Sequence, residues 1–100
     1  MSTIANTRLR QRRESTPSPS GSGRPMSRSE LAEAVNAHVL AATGRHAVLD
    51  ASTIARYERG LIHWPRAHHR AGLRAALNAA TDHDLGFYPT PRGPGRPAGG

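Results

Sequence analysis

The stretch 50–60 constrains this chain more than any other. Its residues, Asp50-Ala51-Ser52-Thr53-Ile54-Ala55-Arg56-Tyr57-Glu58-Arg59-Gly60, read as one short helix. Asp50 is a strong N-cap, its carboxylate placed to accept the backbone N–H of Ser52 or Thr53. Gly60 ends the helix as the residue type that enters the left-handed conformation past the last turn without strain. Between the caps, Ile54, Tyr57 and Leu61 fall at i, i+3 and i+7 and are expected to face a core. On the other side Ser52, Ala55, Arg56 and Arg59 form a second stripe, small toward its N-terminal end and cationic further along. Such a face suits a DNA major groove, because small residues permit close approach and arginine can donate two hydrogen bonds to guanine. The helix rules alone describe an ordinary solvated amphipathic helix equally well.

The flanking sequence supplies further helices. Ser27-Arg28-Ser29-Glu30 is a capping box, with Met26 and Leu31 placed for a hydrophobic staple. Leu31, Val35, Val39 and Ala42 mark one face of the helix that follows, which should stop near Gly44. After Gly60, Pro65 suits the first position of another helix over 65–80, and Trp64 before it is expected in the core. Leu73, Ala76, Leu77 and Ala80 form that helix's buried side. Arg66, Arg70 and Arg74 recur every four residues, as a phosphate-contacting ridge or a solvated face. Thr81 is expected to cap a last short turn, with Leu85, Phe87 and Tyr88 closing the base of the bundle or starting a partner surface.

At the other end, Asn6 or Thr7 can cap a short helix running to Arg13. Only Leu9, with Ile4 upstream, offers it apolar anchorage, so it depends on tertiary packing. The organisation expected is an N-terminal arm and first helix over 1–13, a flexible Pro/Gly/Ser connection over 14–26, a helical bundle over 27–88 and a disordered low-complexity tail over 89–100.

Composition narrows the partners. The chain carries a formal net charge of +7 from 14 Lys+Arg, every one an arginine, against 7 Asp+Glu. Such an excess is common in proteins that bind polyanions. Aromatic residues make up 4% of the chain, few for the stacking platforms that hold single strands, so duplex DNA is the better polyanion. There is no cysteine, hence no disulfide framework and no thiolate chemistry or ligation. No apolar run is long enough to span a membrane and the N-terminus lacks a signal peptide's apolar segment, so the expected location is the cytoplasm.

With these helices placed, two motifs resemble those of a known family. Ile54-x-x-x-Glu58-x-Gly60, preceded by small polar residues, is similar to the recognition helix of the phage-repressor/Cro-type (XRE) helix-turn-helix regulators. Ser27-x-x-Glu30-Leu31-Ala32 matches that family's first motif helix, with Ala32 where the two motif helices cross. The resemblance covers roughly 6–88 and implies an all-α small helical bundle that binds double-stranded DNA sequence-specifically and regulates transcription, commonly as a homodimer on paired half-sites. It implies base contacts from Ser52 and Arg56, helped by Ala51 and Ala55, and phosphate contacts from Arg59, Arg66 and Arg70. It also implies a structural pair, Arg13 at the end of the first helix with Glu58. Twenty-two positions separate Ala32 from Ile54, well beyond a compact motif. The excess is expected to lengthen the second helix by about two turns, with a return through 45–49 in which Val48 and Leu49 pack under the motif.

Rival chemistries fare worse. Of 6 histidines, His63, His68 and His69 lie nearest one another, but neighbouring helical positions diverge and no carboxylate completes a tetrahedral metal set. No serine elbow, phosphate-cradling glycine loop or carboxylate pair among apolar residues is present, so neither an enzyme nor a cofactor is expected. The remaining alternative is a helix-turn-helix fold that docks on a protein without touching DNA. The stripe of Ser52, Ala55, Arg56 and Arg59 lacks the large apolar anchors such docking uses, which favours DNA.

Overall fold

The structure, a computed structural model, describes residues 4–89. Four α-helices and one 3-10 turn follow in order: α1 Thr7–Glu14, α2 Arg28–Thr43, α3 Ala51–Glu58, α4 Ala67–Leu77 and the turn His83–Leu85. The all-α bundle expected from the sequence is what the chain forms, with α2 packed against both α3 and α4 and α1 against α3 and the 3-10 turn.

Each helix starts and stops for local reasons. The Ser27 hydroxyl accepts the Glu30 N–H at 3.1 Å while the Glu30 carboxylate accepts the Ser27 N–H at 2.9 Å, so the box satisfies two otherwise orphaned donors. α2 ends at Gly44 with φ 74°, whose N–H returns to the Leu40 carbonyl. Asp50 accepts the Thr53 N–H at 2.9 Å and the Thr53 hydroxyl at 3.0 Å. Beyond Arg59, Gly60 at φ 79° lets its own N–H reach the Tyr57 carbonyl and that of Leu61 reach Arg56, a complete Schellman closure. α4 occupies less than the expected 65–80. Its first turn has no side-chain cap, and Asn78 takes the left-handed conformation at its end.

The core is continuous. Leu9, Leu31, Val35, Ile54, Leu73 and Leu85 are fully buried, and Tyr57 meets Phe87 edge-on at 6.0 Å between ring centroids. Gly72 sets the approach of α4 to α2: a Cβ there would lie 2.9 Å from Val35 Cγ1 and 3.3 Å from its Cα. α1, short and polar, docks through one apolar side chain and a set of hydrogen bonds. Leu9 is buried, the Asn6 N–H donates to the Glu58 carbonyl at 2.8 Å, and the Asn6 side chain both caps Leu9 at 3.1 Å and donates to the Leu85 carbonyl at 2.8 Å.

Expectations also change at 14–26, at Leu61 and at Trp64, and Val48 does not pack under the motif. The 14–26 segment, expected as a flexible connection, is closed into a loop. Pro17 bridges Pro25, the Ser18 N–H reaches the Arg24 carbonyl and the Met26 N–H reaches Thr16. The buried Ser18 hydroxyl, which donates to Glu30 at 2.7 Å, ties this loop to the cap of α2. Leu61 does not face the core but is 56% exposed, because the left-handed Gly60 turns the chain away from the helical period. Trp64 is likewise outside the core, at the edge of α4 under an arginine.

The long connection between α2 and α3 is pinned at its base. The Asn36 side chain donates to the Leu49 carbonyl and accepts the Leu49 N–H, both at 2.9 Å, so it pairs with that peptide as a strand would. Leu49 packs on the core while Val48 is 88% exposed. The extra residues therefore form an excursion closed off by Asn36, and α3 starts directly from the clamp. The expected tail over 89–100 lies, past Pro89, outside the described residues.

Candidate nucleic-acid interface

α3 is two-sided. Ile54, Tyr57 and Glu58 are buried, whereas Ser52, Arg56 and Arg59 are exposed, with Ala51 and Ala55 half-buried between the two sides. No side-chain hydrogen bond or ion pair to a described residue engages Ser52, Arg56 or Arg59. At the N-terminal end the Asp50 carboxyl is held below its usual range, chiefly by the Thr53 backbone N–H and then by the Thr53 hydroxyl, with a smaller pull from the Arg56 charge. That carboxylate is committed to capping. The exposed face beyond it carries a hydroxyl, small side chains and two unneutralised guanidinium groups.

The inner side is braced by charge. Arg13 donates from Nε to Glu58 Oε2 at 2.6 Å and from Nη2 to Oε1 at 3.3 Å, while its Nη1 reaches the Met26 carbonyl at 2.9 Å. Arg28, at the start of α2, donates from Nε to Glu58 Oε1 at 3.0 Å. One carboxylate thus ties α1, α2 and α3 together. The Arg13–Glu58 pair implied by the family resemblance is present, despite the longer connection between the first two helices. Arg28 is an addition that no periodicity pointed to; its only mark in the sequence is its place directly after the cap of a helix.

The arginines of α4 do not act as one ridge. Arg66 is exposed at the helix N-cap with no side-chain partner among the described residues. Arg70, expected to contact phosphate, is engaged internally: its Nε donates to the Pro65 carbonyl at 2.8 Å, its Nη1 to Asp82 at 2.6 Å, and its guanidinium lies 3.7 Å from the centroid of the Trp64 ring. Arg74 donates to the other oxygen of Asp82. Burial raises the Asp82 pKa, but the hydrogen bonds and charges of Arg70 and Arg74 outweigh it and hold the carboxyl below its usual range. Arg70 is therefore a brace for the segment after α4, and not a free cation. A carboxylate twelve positions along, across a left-handed turn, gives no signal in a helical repeat.

Among the described residues, no group of three or more histidine or acidic side chains is placed to hold a metal ion, and no helix is long and apolar enough to cross a membrane. The cations around α3 that have no carboxylate partner among the described residues are Arg56 and Arg59 on it and Arg66 at the start of α4, whereas Arg28, though half-exposed, is bonded to Glu58. Comparison with protein-family models, with curated proteins and with solved structures found no match to this chain.

Proposed function

We propose that this protein is a transcriptional regulator of the cytoplasm that binds double-stranded DNA sequence-specifically, with α3 as its recognition helix. The observation that carries the reading is the division of α3: a face locked into the core by Ile54, Tyr57 and the Glu58 brace, and an opposite face where Ser52, Arg56 and Arg59 have no side-chain partner among the described residues. Buried on one side and free on the other, the helix can be presented rigidly to a groove, which is what base readout requires. Ser52 and Arg56 read base edges where Ala51 and Ala55 permit close approach. Arg59 and Arg66 hold phosphates. The likeness of the two motifs to XRE regulators supports the same assignment and suggests a homodimer on paired half-sites.

The test is a titration of one duplex, and of a single strand of the same sequence, at several salt concentrations. About two to three neutralised phosphates predict a log–log slope of about −2 to −3 on the duplex. A preference for the single strand, or a flat salt response, would refute DNA reading and leave a protein-docking module.

A further inference from the structure

Away from α3's exposed face, a groove of about 510 Å³ runs between the N-terminus of α1, the Gly60 turn and the segment after the 3-10 turn. That volume is within the range of sites for small organic molecules. Its walls are largely apolar, with Ile4 on one side and Phe87 and Tyr88 on the other. The Tyr88 ring stacks on His63 at 4.7 Å between centroids and 20° between planes, and the Tyr88 N–H donates to the His63 carbonyl at 3.1 Å, so the aromatic wall is fixed.

Among the described residues lining this groove Arg8 is the charged one, and no aspartate or glutamate lines it. Arg8 is exposed but held, and unlike Arg10 and Arg28 it is held without a carboxylate. Its Nη1 donates to the His83 carbonyl at 3.2 Å and lies 3.0 Å from His83 Nε2, yet no carboxylate of a described residue neutralises it. The remaining guanidinium N–H groups are free to bind. Nδ1 of His63 is buried and has no hydrogen-bond partner among the described residues, an arrangement that costs stability unless a further group satisfies it. A fixed cation beside an apolar, aromatic wall describes a receptor for an amphipathic anion.

We propose that this groove binds a small organic carboxylate, with the apolar body against Phe87 and Tyr88 and the carboxylate on Arg8. The site is independent of DNA reading, since none of the residues assigned to base or phosphate contact lines it.

The test uses indole-3-acetate and its uncharged counterpart indole-3-acetamide as probes, followed by amide chemical shifts of the full chain. Saturable shifts are expected at Arg8, Gly60, His63 and Tyr88, with the acid binding at least about tenfold tighter than the amide, the factor that 1.4 kcal/mol produces. Arg8→Gln, an exposed position outside the core, should bring the acid's affinity down to about that of the amide. Equal binding of acid and amide, shifts that never saturate, or shifts scattered over the arginine surface would overturn the proposal. So would shifts at the same residues that depend on protein concentration without probe, because a second copy would then fill the groove.

Discussion

Removing Glu58 should cost more than any other single polar substitution in this fold, and removing its partner as well should restore most of the loss. The Glu58 side chain is 4% exposed and that of Arg13 is 9% exposed. Glu58→Leu strips Arg13 of two acceptors and leaves a buried guanidinium with only the Met26 carbonyl. Breaking such a pair from one side costs about 3–5 kcal/mol, against a total stability of about 4–13 kcal/mol for a domain of this size. Arg13→Met with Glu58→Leu replaces both charges by apolar side chains of similar volume, and such exchanges are often near neutral. The double variant should therefore lie within about 2 kcal/mol of the parent. Arg28, whose side chain is 45% exposed, can turn to solvent and alters this by about 0–1 kcal/mol. Urea unfolding of the four proteins, followed by helical circular dichroism, measures the cycle. Losses that add to within about 0.5 kcal/mol would refute the reasoning, since uncoupled residues behave that way.

Other outcomes follow from the same geometry. Ser27→Ala removes the acceptor for Glu30 and should lower stability by about 1 kcal/mol, read as a shift in denaturant midpoint. Gly86 and Gly44 both have φ near 75°, but a Cβ on Gly86 would overlap the Asn6 side chain whereas one on Gly44 meets open space. Gly44→Ala should cost about 1–2 kcal/mol for the left-handed conformation alone, and Gly86→Ala about 1 kcal/mol more through the lost Asn6 cap; equal midpoints would contradict the docking of α1. The carboxyls of Glu30, Asp50 and Asp82 all sit below their usual pKa values, held by hydrogen bonds to Ser27, Thr53 and the Arg70–Arg74 pair respectively. Groups with depressed folded-state values stabilise above their unfolded values and lose that contribution as pH falls through the folded ones, so stability should decline below about pH 4. Asp82→Asn should flatten part of that decline while lowering stability at neutral pH.

Where local chemistry decides, the residues were readable in advance. The caps Asn6, Ser27 and Asp50 and the stops Gly44 and Gly60 all act as their residue types predict, because a cap is settled within about four positions. The buried face of α3 follows its period as far as Tyr57 and fails at Leu61, past a turn that rotates the chain. What sequence could not show is pairing across turns. Arg70 has the spacing of a free helical face, and Asp82, returning after Asn78, together with the Pro65 carbonyl takes it out of the candidate site. Asn36, a poor helix former in the middle of α2, has as its partner a peptide group thirteen positions away, which no local pattern marks. The flexible composition of 14–26 misled for a similar reason: its serines and prolines fold back on a cap that exists only once α2 has formed.

The most direct measurement of the central claim is the affinity of the parent, Arg56→Ala and Arg59→Ala for a duplex selected from random sequence, for its single-base variants and for unrelated duplex. Arg56→Ala is predicted to erase discrimination at one base pair, worth about 1–3 kcal/mol, while keeping most non-specific affinity. Arg59→Ala is predicted to weaken all duplexes alike and to reduce the salt slope by about one. Equal weakening of every duplex by Arg56→Ala, or no change in either variant, would contradict α3 as the reading helix.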